Sequence, residues 1–156
     1  MPDTHVATPR PKVRAMPVVS RAEPWSSPSY QAFRILHVAF IIAPILAGLD
    51  KFFDVLVPWQ YYLSPLVTKT LGISASTIMP IVGVVEIAAG ILVALKPSIG
   101  GWVVACWLWG IIINLLTIPG NYDIALRDFG LSLAAIALAR LSVQHEHRPA
   151  TVRSPS

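Results

Sequence analysis

The sequence predicts an all-α integral membrane protein, an antiparallel four-helix bundle with a short interfacial helix between spans one and two. Of the 156 residues, 54% are hydrophobic and 13% are charged, and the mean hydropathy is +0.63. These values lie outside the usual range of soluble domains. A bilayer core about 30 Å thick requires roughly 20 residues per span, so a chain of this length has room for four spans and two tails.

The chain begins with a proline-rich basic segment. Residues 1–30 contain six prolines and several cations but no apolar periodicity, which predicts a disordered basic cytoplasmic tail. No small-x-small cleavage site follows, so we interpret this segment as a tail and not as a cleaved signal peptide. Residues 144–156 predict a second disordered tail at the C-terminus, which leaves residues 31–143 as the four-span transmembrane domain.

Four apolar stretches account for the predicted spans. Span one is expected over residues 32–48, with Ser29 as its N-cap and Pro44 as a kink. Spans two, three and four are expected over residues 77–95, 101–118 and 124–143. The turns KPSIG and PGNYD separate these last three spans, and such short turns force neighbouring helices to run antiparallel.

The connector after span one is rich in aromatic residues. Phe52, Phe53, Trp59, Tyr61 and Tyr62 fall within a few turns of chain. Amphipathic aromatic side chains are favoured at the depth of the lipid headgroups. We therefore expect a short interfacial helix and a loop on the membrane surface.

The distribution of lysine and arginine predicts the orientation of the spans. One side would carry Arg10 to Arg34, Lys96, Arg140, Arg148 and Arg153. The other side would carry only Lys51, Lys69 and Arg127. Because cytoplasmic loops carry the excess of cations, we expect both termini in the cytoplasm.

Polar residues near the span ends and inside the spans are predicted to line the candidate site, an inward-facing polar pocket for a quinone or a proton. The predicted topology places them between the middle of the membrane and its outer face: Asp50, Lys51, Glu86, Asn114, Arg127 and Asp128. Glu86 shares a helix face with Gly83 and Gly90, so it should point toward a neighbouring helix. Charges inside a membrane are costly and usually mark function. The alternative is structural: Asp123 and Asp128 would interact with the helix dipole while Arg127 reaches the headgroups.

A second polar stripe is predicted on span three. Cys106, Gly110, Asn114 and Thr117 recur at helical spacing, and we expect this stripe to face the one around Glu86. As the lone cysteine, Cys106 excludes a Cys-x-x-Cys redox mechanism.

The histidines and the basic tails suggest no metal or nucleic acid. His37 has no second histidine predicted at its depth, since His145 is assigned to the tail, so no metal or haem site is predicted. The basic tails favour membrane lipids over nucleic acid as partners.

Three phrases resemble one known family. These are AGLDKFFDVL, GVVEIAAGILVAL and ALRDFGLSLAAIALAR, and together they are similar to the DoxX-like family of small four-helix bacterial membrane proteins over about residues 31 to 143. The resemblance implies a multi-pass protein of the bacterial cytoplasmic membrane. For some members it also implies association with a quinone-linked redox complex. On this likeness Lys51, Glu86, Arg127 and Asp128 match the polar positions of the family.

Three functional hypotheses remain open from the sequence. The first is a membrane subunit of a redox complex. It would have no cofactor of its own, and its polar site would either bind a quinone or pass electrons and protons between a quinone and a partner protein. The second is a non-catalytic accessory subunit packed against a larger complex or a second copy of itself. The third is a small proton-coupled carrier that uses Glu86 near the midplane. One fold hosts many activities, so the resemblance does not choose among them.

Overall fold

Residues 27–146 fold into four long helices and two short ones. The computed structural model describes residues 27–146; the remainder of the predicted tails, residues 1–26 and 147–156, lies outside this range. The elements in chain order are α1 (Pro28–Asp50), a 3-10 helix (Trp59–Tyr62), α2 (Pro65–Leu71), α3 (Ala75–Leu95), α4 (Pro97–Leu116) and α5 (Tyr122–Glu146). The described residues are thus all-α, as predicted.

All four long helices begin earlier than the predicted spans, and the two with the largest difference, four residues each, begin with a proline. Pro28 occupies the first turn of α1, so the N-cap is Ser27 and not Ser29. Pro97 starts α4 directly after Lys96, so most of the predicted KPSIG turn is helical. Proline suits the first helical turn because its missing N–H would have no partner there.

The four long helices form a closed ring. α1 packs along α3, and α4 packs along α5, while narrower contacts join α3 to α4 and α1 to α5. The main core lies toward the end of the bundle where α1 begins and α5 ends, which we call the terminal end. Its buried residues are Phe33, Phe40, Ala89, Val93, Val104, Ala105, Ala135 and Leu138. The opposite end, which carries residues 51–74, is called the connector end.

The closest helix contact is between α1 and α3. A Cβ atom added at Gly83 would lie 2.5 Å from the carbonyl oxygen of Gly48, and one added at Gly90 would lie 2.7 Å from Ile45 Cγ1. The predicted small-residue face of α3 is therefore confirmed as a packing face. Its partner, however, is α1.

The predicted packing stripe on α4 is wrong in direction. Cys106 and Gly110 are exposed, and a Cβ atom added at Gly110 would meet nothing within 4 Å. α4 packs on α5 through a different face, where a Cβ at Gly101 would lie 2.7 Å from the carbonyl oxygen of Ala135. Helical periodicity identified a stripe of small residues but not the side of α4 that meets a neighbour.

Three helices are long and apolar enough to cross a membrane. They are α1, α3 and α4, with hydropathy values of 2.0, 2.4 and 1.9 in their most apolar windows. These helices indicate a membrane protein. α5 is 25 residues long but carries Asp123, Arg127, Asp128 and Arg140, and it does not reach the same apolar character. The fourth span therefore stays a prediction.

The connector contains two short helices where one was expected. The 3-10 helix is followed by α2, whose N-cap Ser64 accepts a hydrogen bond from the Leu66 N–H at 3.2 Å. Gly72 ends α2 with a φ of 67°, a left-handed conformation that glycine adopts without steric cost. The apolar side chains of Phe53 and Val55 are 72% and 78% exposed, so this stretch is little buried against the bundle.

Candidate functional site

A buried ion pair joins α1 to α3. The Lys51 Nζ atom lies 2.6 Å from Oε2 of Glu86, and the two side chains are only 5% and 9% exposed. Lys51 directly follows the last residue of α1, and Glu86 lies near the middle of α3. The predicted inward direction of Glu86 is confirmed, since Glu86 is buried against α1.

The glycine contact explains why this pair is buried. A Cβ added at Gly83 would lie 3.2 Å from the Cβ of Lys51, and one added at Gly48 would lie 3.2 Å from the Cβ of Glu86. With no side chains on either glycine, the two backbones approach closely enough to exclude solvent around the charges. An isolated buried charge is very costly. Each of these two charges therefore depends mainly on the other for compensation.

Trp59 covers the pair from the connector end. The Lys51 Nζ atom lies 3.7 Å from the centroid of the Trp59 ring, within the range of a cation–π interaction. The indole Nε1 donates a hydrogen bond to Oδ2 of Asp50 at 2.7 Å. Sequence reasoning assigned Trp59 only to the membrane interface, because nothing in the spacing of Asp50 and Trp59 indicates that they meet.

Asp50 organises the start of the connector. Besides the indole, its carboxylate accepts hydrogen bonds from the backbone N–H groups of Val55 and Leu56, each at 3.0 Å. This predicted site residue is therefore fully engaged in holding the turn after α1 and in orienting Trp59. Its contribution to the ion pair is indirect.

Asp128 lies beside the pair without a bonded partner of its own. It is half-buried, and its carboxylate is close enough to Glu86 and Lys51 to interact electrostatically with both. Across residues 27–146, no hydrogen bond or ion pair is formed by the Asp128 side chain. Asp128 also interacts with the neighbouring Arg127, and more strongly than with Lys51.

Arg127 lies on the outer surface of α5, away from the ion pair. It pairs with Asp123 at 3.3 Å, and the two side chains are 73% and 70% exposed. The two residues stand one helical turn apart with the acid nearer the N-terminus, which is the favourable order for a helical ion pair. Arg127 does not line an inward pocket, however, since residues 127 and 128 point about 100° apart on a helix.

Asn114 anchors the connector to α4. Its Oδ1 atom accepts a hydrogen bond from the backbone N–H of Ser64 at 2.9 Å, and its Nδ2 group donates to the carbonyl oxygen of Tyr62 at 2.7 Å. Thr117 adds a hydrogen bond from its hydroxyl to that of Ser64 at 2.7 Å. The predicted depth of Asn114 near the connector end is correct, but its amide is engaged by the backbone instead of facing Glu86.

No protein-family model, curated protein or solved structure matches this chain. The chemical capacity of the cluster follows from its own groups, which are one ammonium and two carboxylates.

The histidines at the terminal end are packing residues. His37 Nε2 donates to the carbonyl oxygen of Val93 at 3.0 Å. His145, which the sequence assigned to the tail, lies in α5 with its ring 5.4 Å from those of Tyr30 and Phe33. These ring contacts explain why α5 continues past residue 143. Within residues 27–146, no three His, Cys, Asp or Glu side chains converge as metal ligands.

An apolar groove runs between α3 and α4 on the outside of the bundle. Its volume is about 580 Å³, and its lining residues are Val85, Ala88, Ala89, Leu92, Trp102, Val103, Cys106 and Trp107. The Nε1 atom of Trp107 is buried and has no hydrogen-bond partner in the described part of the chain. A buried donor without an acceptor carries a free-energy cost.

Proposed function

We propose that this chain is a DoxX-like integral membrane subunit of a quinone-linked redox complex, with the cluster of Lys51, Glu86 and Asp128 as its proton-handling site. The observation that carries the proposal is the excess of carboxylates over ammonium groups inside this cluster. The cluster joins helices apolar enough to cross a membrane. Ionisable groups at such positions usually serve proton transfer or substrate binding.

The three residues would divide the work as follows. Lys51 remains paired with Glu86 and keeps one negative charge compensated. Asp128, which has no bonded partner within residues 27–146, takes up or releases the exchangeable proton. Glu86 contacts Lys51 directly and interacts with Asp128, so it can pass a proton between the ion pair and the second carboxyl.

The groove between α3 and α4 fits a quinone in chemical character. A bound quinone would supply two-electron redox chemistry coupled to proton uptake. The apolar lining suits its ring and tail. The groove reaches Trp107 near the middle of α4, a depth that the ester carbonyls of lipids do not occupy. Electrons would come from a partner protein.

The proposed setting is the bacterial cytoplasmic membrane. In this arrangement α5 is the fourth span, both termini are cytoplasmic, and the connector end faces outward. The excess of lysine and arginine on the terminal side supports this orientation. Lipids, redox partners and a second copy of the chain are the expected contacts.

Glu86→Gln is expected to lower quinone-linked activity at least tenfold and to flatten its pH dependence. The amide keeps the shape of the side chain but cannot titrate. The measurement is quinone reduction by the complex that copurifies with the chain in mild detergent, with quinone content determined in an organic extract. Asp123→Asn, in the exposed pair, is the matched control and should behave as wild type. Wild-type activity of Glu86→Gln across the pH range would refute the proton-handling role.

Ala88→Trp should lower the quinone content of the purified protein at least fivefold. Ala88 is exposed within the groove, so an indole there fills the space without disturbing the core. Val84→Trp is the control, since Val84 is 58% exposed on the same helix and outside the groove. Equal quinone content in both variants would place any quinone elsewhere.

An accessory, non-catalytic role is the second candidate function. The closed geometry of the Lys51–Glu86 pair favours it. A buried salt bridge in which each charge is paired is sufficient to fix the register of two helices without taking part in any chemistry. Copurification with a complex that retains full activity without this chain would support that role.

A further inference from the structure

We propose that Trp59 is a movable cover that controls access of water and small polar reactants to the Lys51–Glu86 pair. This inference deepens the proposed function and rests on it for the identity of the reactants. Lys51 follows the last residue of α1, so no further turn of that helix shields its ammonium group. The Trp59 ring provides this shield, 3.7 Å from the ammonium.

The cover is held in place by a small number of local contacts. Its indole N–H bonds to Asp50 at 2.7 Å, and its backbone N–H bonds to Asp54 at 3.3 Å. Its ring also packs near that of Tyr62, with the centroids 6.1 Å apart. Trp59 is not part of either buried core cluster, so displacing it leaves the packing of the long helices intact.

The chain on both sides of the cover is fixed, whereas the stretch that carries it is exposed. On one side the glycine contact holds the end of α1 against α3. On the other side Asn114 bonds to the backbone of Tyr62 and Ser64. Between these two points Phe53, Val55 and Leu56 are 72%, 78% and 69% exposed.

A sharp bend precedes the cover. Asp54 has a φ of 50°, a left-handed conformation that is uncommon outside glycine and marks a sharp change of direction. Segment 52–61 forms the proposed flap, and opening it must break the bonds from the Val55 and Leu56 N–H groups to Asp50 as well as that of the indole. When the flap is closed, Lys51 is desolvated and paired with Glu86; when it is open, both groups meet water from the connector end.

Amine labelling of the full chain in mild detergent tests the cover directly. Sulfo-N-hydroxysuccinimide acetate modifies accessible lysines, and the rate at each lysine is read by peptide mass spectrometry. In the wild type, Lys51 should react at least tenfold more slowly than Lys69, which is exposed on the same connector. Trp59→Ala should raise the rate at Lys51 at least tenfold and leave Lys69 unchanged.

Two further variants separate the cover from a general loss of structure. Tyr61→Ala removes an aromatic ring that is 77% exposed on the same flap and should leave Lys51 protected. Trp59→Phe keeps a ring over the ammonium but loses the bond to Asp50, so the Lys51 rate should rise by about threefold, between wild type and Trp59→Ala. The Trp59→Phe variant also provides the test if the Trp59→Ala variant does not fold.

Two results would overturn the inference. One is a wild-type Lys51 that reacts as fast as Lys69, and the other is a Lys51 that stays fully protected in both Trp59 variants. The labelling requires no quinone, partner or redox activity. A failure of the proposed redox function would therefore leave these rates unchanged, while failure of the cover would leave the quinone assays unaffected.

Discussion

Glu86→Leu is expected to lower the free energy of unfolding by about 3–5 kcal/mol, because it leaves the Lys51 ammonium buried without its counter-charge. The ion pair is short, at 2.6 Å, and both side chains are almost fully buried. Asp128 is near enough to weaken the effect but forms no direct bond to Lys51 within the described residues. The measurement is the midpoint and slope of unfolding by sodium dodecyl sulfate in mixed micelles, followed by circular dichroism.

Two controls identify the cause of that loss. Arg127→Gln breaks the exposed pair with Asp123 and should cost at most about 1 kcal/mol, since surface ion pairs contribute little. The double variant Lys51→Met with Glu86→Leu should recover most of the lost stability, because an apolar pair of similar volume has no charge to desolvate. If the double variant is no more stable than Glu86→Leu, the loss comes from altered packing and not from the unpaired ammonium.

Gly83→Ala should also destabilise the bundle, by about 1–3 kcal/mol, as is usual for overpacking. The added Cβ would lie 2.5 Å from the carbonyl oxygen of Gly48 and 3.1 Å from Cε2 of Phe52. The first of these contacts is with backbone, which cannot rotate away, so α1 and α3 must separate. Gly83→Leu should cost more, and both variants are measured by the same unfolding experiment.

Gly110→Ala is the matched control and should have the opposite sign. Gly110 is also inside a long helix, but its added Cβ would meet nothing within 4 Å. Alanine in a helix interior is then more stable than glycine by about 0.5–1 kcal/mol. A destabilised Gly110→Ala would mean that this face of α4 is covered by another molecule, and an unaffected Gly83→Ala would mean that α1 and α3 are farther apart than described.

The direction of Glu86 could be predicted because it follows from local periodicity. A residue four before Gly90 and three after Gly83 must share their face of a helix, and the structure confirms that this face is buried. The same logic failed for Gly110. The face of α4 that packs on α5 carries both small and large residues, such as Gly101 and Val104, and periodicity alone cannot rank two apolar faces of one helix.

The contacts of the connector could not be predicted because they join residues far apart in the chain. Asn114 meets Ser64 across 50 positions, and only the three-dimensional path of the loop brings the two together. Trp59 was assigned by composition to the membrane interface, which is the usual place for tryptophan. His145 was missed for a related reason: its ring packs on Phe33 of α1, a contact that extends α5 beyond the apolar stretch.

The bonds from Asn114 and Thr117 to the connector have a consequence for biogenesis. The partners Ser64 and Tyr62 are synthesised about fifty residues before the α4 side chains that bind them. While a ribosome is still extending the chain, α1 and α3 can already pair through their glycines and bring Lys51 to Glu86. The downstream end of the connector acquires its fixed position only after α4 has been made and inserted. Insertion of α4 is therefore the step that completes the cover of the Lys51–Glu86 pair, although α4 contributes no residue to that pair.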